Sequence, residues 1–199
     1  MKLIHKFKSP NFNNRNSKII EFVVIHYTAL NSTEEAINYL CSKKNKVSCH
    51  YLISNDGRIY NLVDENNRAW HAGQSFWREN SDINSSSIGI ELDYSPYGNN
   101  NKFTDQLIIS LLKLLDRIVK NHKILSNNIL GHSDVAPYRK IDPGKKFPWH
   151  ILEDKNLINK VSNNKILPKN TETIVFDDNN GKIDKLVGQP NMFFPNTKI

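Results

Sequence analysis

The hydrophobic residues of this chain fall into short blocks with different periods. Residues 19–27 (IIEFVVIHY) are apolar, β-branched and nearly unbroken, the mark of a buried strand. Ser32-Thr33-Glu34-Glu35 then supplies a cap and an acidic first turn for a helix with Ala36, Ile37 and Leu40 on one side. Residues 48–54 and 58–63 read as strands, and Asn55-Asp56-Gly57 between them is a strong hairpin signal. From residue 64 to 86 no period holds, and the stretch collects Trp70, His71, Gly73, Phe76 and Trp77. A long loop of that composition is more often a functional site than a mere connection. Residues 87–94 form another strand, in which Ile88, Ile90 and Leu92 face one way and Ser87, Gly89, Glu91 and Asp93 the other. Thr104 precedes the clearest helical pattern, with Leu107, Ile108, Leu111, Leu114, Leu115 and Ile118 on one face. Residues 128–132 (NILGH) read as a short strand end, and residues 133–149 as a loop with three prolines.

The order β-α-β-β-β-α-β predicts an α/β domain with helices on the faces of a central sheet. The hairpin at Asn55-Asp56-Gly57 forces one antiparallel pair, so the sheet is expected to be mixed. Residues 1–18 read as a polar arm, residues 19–160 as a single domain, and residues 161–199 as a tail or small appendage. With 38% hydrophobic residues in 199, the chain can bury a real core, which excludes a fully disordered protein. The formal charge of +7 favours an anionic partner without choosing among nucleic acid, an anionic surface and an acidic polymer. No basic-aromatic nucleic-acid motif accompanies it, so nucleic acid is not expected as a partner. No apolar run reaches membrane-spanning length. The N-terminal MKLIHKFKSPNFNNRN has positive charge but no apolar stretch behind it, so it does not read as a secretory signal. The expectation is a cytoplasmic protein, or a periplasmic one if a leader precedes these residues. Cys41 and Cys49 lack CxxC spacing and read as free thiols, with a disulfide as the alternative.

Three residues at strand ends or loop starts suit a metal. His26 ends the first strand, His132 the last, and Asp142 lies in Arg139-Lys140-Ile141-Asp142-Pro143-Gly144. Two imidazoles and a carboxylate suit zinc with a fourth position left for water. Taken singly, a histidine at a strand end is more often a hydrogen-bonded residue, and an Asp before Pro a turn residue. Glu91 stands beside Gly89, where a side chain would normally pack, and a carboxylate over such a gap can serve as a general base. The alternative is a solvated face of an edge strand. Lys140 lies two residues from Asp142, so in an extended loop it would face the same ion and could stabilise an oxyanion, although most lysines are simply surface residues. His50, within a strand, reads as a core histidine.

Together these stretches resemble the zinc-dependent N-acetylmuramoyl-L-alanine amidases of the AmpD and AmiD type, relatives of the peptidoglycan recognition proteins. The matching residues are Val24-Ile25-His26-Tyr27-Thr28-Ala29, Val47 to Ile53, Arg68-Ala69-Trp70-His71-Ala72-Gly73, Ser87 to Leu92, and Gly131-His132-Ser133-Asp134-Val135-Ala136-Pro137 running on to Asp142 and Phe147-Pro148-Trp149. Their order along roughly residues 20 to 155 is what makes the resemblance specific. It implies the peptidoglycan-recognition/amidase-type fold and one zinc ion per chain held by His26, His132 and Asp142. It implies Glu91 as catalytic acid/base, Lys140 as electrostatic stabiliser, and a substrate groove lined by Trp70, His71 and Asn84 with Arg139 near the peptide. For Trp70 the competing role is core packing, and for His71 a structural hydrogen bond. The implied substrate is peptidoglycan or a muropeptide, with the lactyl–alanine amide cut. Tyr27-Thr28-Ala29 looks closer to AmiD, which implies that plain and 1,6-anhydro muramoyl ends are both accepted. A monomer is expected, and the alternative function is a peptidoglycan-binding module without catalysis.

Overall fold

The computed structural model describes residues 1–98 and 100–159, together with the backbone of two short strands further on. Six strands make one mixed sheet in the order β1-β5-β4-β7-β3-β8. They are β1 (Leu3–Ile4), β3 (Phe22–Tyr27), β4 (Tyr51–Ile53), β5 (Ile59–Asn61), β7 (Ser87–Leu92) and β8 (Ile129–Gly131). Only β4 and β5 pair antiparallel; all other neighbours are parallel. The hairpin between them turns where expected, with Gly57 at φ +81° and its N–H donated to the Ser54 carbonyl at 2.9 Å. β3 has strands on both sides and is buried along nearly its whole length, as its continuous apolar run requires.

The helices sort by which sheet face their apolar stripe meets. α3 (Asp105–His122) packs Leu107, Leu111, Leu114, Leu115 and Ile118 against Val23, Ile25, Ile53, Ile88, Ile90 and Leu92. Thr104 caps it by accepting the N–H of Leu107 at 3.2 Å. On the opposite face α1 (Thr33–Leu40), capped by Ser32, covers Leu52, Tyr60 and Leu62 with Ala36, Ile37 and Leu40. Further along that face, Phe22, Val24 and Leu130 meet Ile83 of α2 (Ile83–Ser86) and Val135 of α4 (His132–Val135). Between these two clusters that face carries polar side chains: His26, Glu91, His50 and Ser87.

Residues 1–18, read from sequence as an arm, are woven into the domain. β1 runs beside β5, and β2 (Phe12–Asn14) pairs antiparallel with β6 (Asn67–Ala69) inside the long aromatic loop. β1 is too short, and β2 too short and too polar, to show a period. α5 (Trp149–Asp154) follows the proline-rich loop. The tail expected over residues 161–199 lies outside the described residues, apart from β9 (Val175–Phe176) and β10 (Ile183–Lys185), which pair with each other. Cys41 and Cys49 are free thiols. Among the described residues no helix is long and apolar enough to cross a membrane.

Candidate active site

β3, β7 and β8 run parallel, so their C-terminal ends open on one side of the sheet, the usual location of ligand sites in such sheets. His26 is next to last in β3, Glu91 is its register partner on β7, and His132 follows β8 directly. The 133–142 loop returns Asp142 to this point, held by the Ser133 N–H donated to the Asp142 carbonyl at 2.9 Å. His26 Nδ1 and His132 Nδ1 are 2.9 Å apart, and each lies 3.0 Å from Asp142 Oδ2. All three residues are buried.

The outer nitrogens decide the chemistry of the inner ones. His132 Nε2 lies 3.0 Å from the Ala72 carbonyl, which can only accept, so this nitrogen carries the proton. His26 Nε2 lies 3.0 Å from His71 Nδ1, His71 Nε2 lies 3.1 Å from Ser87 Oγ, and Ser87 Oγ donates to the Ile83 carbonyl at 2.5 Å. Followed back from that carbonyl, the chain of donors gives His26 its proton on Nε2. Both Nδ1 lone pairs therefore face each other and a carboxylate oxygen at about hydrogen-bond distance with no hydrogen between them. Three electron-rich atoms so placed repel, and a cation at their centre satisfies all three. Burial lowers the His26 pKa to about 4, with the Asp142 carboxylate opposing, so the ring is neutral at pH 7 as a ligand must be. The donor set, two neutral imidazoles and one carboxylate with their outer atoms tied, fits zinc.

Glu91 borders this cluster. Its Oε2 is shielded from solvent and has no hydrogen-bond partner. Burial, reinforced by the Asp142 charge and opposed by Lys140, raises its pKa to about 8. The gap expected beside it at Gly89 is not open. A Cβ on Gly89 would lie 2.4 Å from His71 Cγ, so the missing side chain is what lets the imidazole lie against β7. Gly89→Ala is therefore expected to displace His71, lowering stability by about 1–3 kcal/mol. It should also free the outer nitrogen of His26; thermal unfolding and zinc competition against a chelator would measure the two effects.

A cleft of about 550 Å³ lies over these groups, and Trp70, His71, Asn84, Arg139 and Lys140 all line it. Trp70 presents a half-buried ring whose Nε1 donates to Asn13 Oδ1 at 2.7 Å. Asn84 is committed on one side: its Oδ1 accepts the N–H groups of His71 (3.1 Å) and Ala72 (2.8 Å). Arg139 Nη2 donates to the carbonyls of Ala72 (2.6 Å) and Gln74 (2.7 Å). His71 has both ring nitrogens engaged, by His26 and Ser87, so it supports the cluster from behind. Ser87 and the backbone of Ala72 were not legible as site residues, since nothing in a sequence marks a carbonyl or a strand serine as the anchor of a ligand imidazole.

Residues 15–145 match the family model described as N-acetylmuramoyl-L-alanine amidase. The chain belongs to that family. Its similarity to the 1,6-anhydro-N-acetylmuramyl-L-alanine amidase AmpD of Haemophilus influenzae is 37% identity over 163 residues, 72% of this chain and 87% of that one. With the N-acetylmuramoyl-L-alanine amidase AmiD of Escherichia coli it shares 36% over 151 residues, 69% of this chain but 54% of AmiD. Among solved amidases, an AmpD structure aligns with TM-score 0.68 at 26% identity, covering 78% of this chain and 94% of that one. AmiD in complex with anhydro-N-acetylmuramic acid-L-Ala-D-gamma-Glu-L-Lys aligns with TM-score 0.65 at 34% identity, covering 74% and 62%. The mixed α/β sheet expected from sequence is the sheet of these amidases.

Proposed function

We propose that this amidase is a zinc hydrolase acting in peptidoglycan turnover and recycling. The bond cut is the amide between the lactyl group of N-acetylmuramic acid, plain or 1,6-anhydro, and L-alanine. The observation that carries this reading is the convergence of His26 Nδ1, His132 Nδ1 and Asp142 Oδ2 beside the unpartnered Glu91 carboxylate, in a cleft open to a ligand. The names of the relatives and the muropeptide bound to AmiD support the substrate class.

His26, His132 and Asp142 would hold one zinc ion. The chemistry zinc supplies in such a site is Lewis acidity toward a water and a carbonyl oxygen. Glu91, whose ionised form the positive charge of a bound zinc ion would favour, takes the proton of the attacking water and passes it to the L-alanine nitrogen as the amide breaks. The ammonium of Lys140 lines the same cleft and stabilises negative charge on the lactyl carbonyl oxygen. Trp70 offers a ring face to the sugar, and Arg139 retains donors for a peptide carboxylate beyond those given to Ala72 and Gln74. The complete set of ligand residues plus Glu91 is more than a binding module needs.

The test is incubation of purified protein with an anhydromuramoyl tripeptide, read by mass spectrometry. Free tripeptide with an L-alanine N-terminus is expected, abolished by a chelator and restored by zinc. Intact substrate after incubation with zinc-loaded protein overturns the proposal.

A further inference from the structure

Arg15 belongs to the polar N-terminal segment, before the first strand of the cleft, yet all three of its guanidinium nitrogens are engaged at one corner of the fold. Nε donates to the Glu65 carbonyl at 2.8 Å, Nη1 to the carbonyls of Asn84 (3.1 Å) and Ser85 (2.8 Å), and Nη2 to that of Ser87 (2.9 Å). Nη2 also lies 2.8 Å from His50 Nε2. The corner is the junction of α2 with β7. α2 is a single turn, and its last carbonyls have no helical partner. A planar fork with five donors can serve several carbonyls at once, which an ammonium cannot.

That corner leads to both ligand imidazoles. Asn84 Oδ1 holds the N–H groups of His71 and Ala72, and Ser87 Oγ meets His71 Nε2. His71 then meets the outer nitrogen of His26, and the Ala72 carbonyl that of His132. His50 packs at the same corner: its Nδ1 accepts the N–H of Gly89, the residue over which His71 lies, so its Nε2 carries the proton and donates to the Asn67 carbonyl at 3.0 Å, touching Arg15 without accepting from it. We propose that Arg15 is a positioning residue for the metal centre: by fixing the α2–β7 corner it sets the orientation of the His26 and His132 rings. This rests on the reading that His26, His132 and Asp142 hold zinc.

Zinc affinity, measured by competition with a chromophoric chelator, tests it together with the visible spectrum of the cobalt-substituted protein. Arg15→Ala is expected to weaken zinc binding about 10-fold, the low end of the effect of losing a ligand's direct outer partner, since Arg15 acts through His71 and Ala72, and to shift the cobalt bands. Arg15→Lys should lose affinity to a smaller degree, and carries the test alone if the alanine variant does not fold. Leu114→Ala, on the buried stripe of α3 across the sheet from the site, serves as the control for general destabilisation. It should lower the melting temperature while leaving zinc affinity within about twofold, as expected for a distant, uncoupled site. Unchanged zinc affinity and cobalt bands in the Arg15 variants overturn the proposal, as does an equal loss of affinity in Leu114→Ala. Wild-type protein that binds no zinc overturns the metal reading as well, which separates the two failures.

Discussion

Glu91→Gln is expected to lower turnover about 10²–10⁴-fold, the range for loss of a positioned general acid/base, while making the metal-free protein more stable. Both effects come from one placement. The carboxyl is half-buried at the floor of the cleft with Oε2 shielded, and burial together with the nearby Asp142 charge raises its pKa to about 8 from the usual 4.5. Between those two values the folded protein keeps a proton that the unfolded chain has released. Wild-type stability therefore falls as pH rises through that window, and levels off above it. Glutamine never ionises, so the variant's advantage should be absent near pH 4 and full above pH 8, on the order of 3–5 kcal/mol. Urea unfolding of chelated protein at pH 4, 7 and 9 measures it. A stability difference that is the same at all three pH values would contradict the raised pKa of this carboxyl in metal-free protein, and retained turnover would contradict its role. The substitution keeps the volume, so a cavity does not confuse the result as it would in Glu91→Ala.

This conflict between stability and chemistry also bears on what could be read from the chain. Elements with a long, uniform period were legible: the unbroken run over residues 19–27, the α3 stripe from Leu107 to Ile118, and the Asn55-Asp56-Gly57 turn. Each is decided by local chemistry and burial of its own side chains. The alternation in β7 was equally legible, and it correctly put Glu91 on the face away from α3. That His26, His132 and Asp142 meet at one point was not decided by any local pattern, because it depends on the order β7-β3-β8 and on the return of the 133–142 loop. The family resemblance supplied that expectation.

Residues 1–18 were misread for a physical reason. Arg15, Asn13 and two strands of two and three residues bond to backbone or to single side chains, and Leu3, Ile4 and Phe7 pack against the core at no regular spacing. Such contacts leave no period. Gly89 misled for a related reason: the absence of a side chain was visible, but the tenant of the space, His71, comes from a loop without periodicity. A polar site is thus legible at its reacting groups, which sit on regular strands, and obscure in the parts that hold those groups in place.

Asp142→Asn should separate the metal from the fold. The carboxylate is the only anion among the three ligand atoms, and the amide that replaces it keeps the shape while losing the charge. Zinc affinity is expected to fall by more than the roughly 10–100-fold that loss of an outer partner costs, and amide hydrolysis with it. The metal-free variant should nevertheless be folded and no less stable than metal-free wild type. In wild type, Oδ2 and two Nδ1 lone pairs crowd within about 3 Å of one another. An asparagine can turn its Nδ2 donors toward both imidazoles and relieve that repulsion. Zinc added to wild type should raise its melting temperature strongly, since stabilisation grows with the ratio of free metal to dissociation constant, by about 1.4 kcal/mol for each tenfold. The same zinc concentration should barely move the variant. An equal zinc-induced shift in both proteins would mean that the ion is held elsewhere, and a variant that unfolds without metal would mean that Asp142 supports the loop rather than the ion.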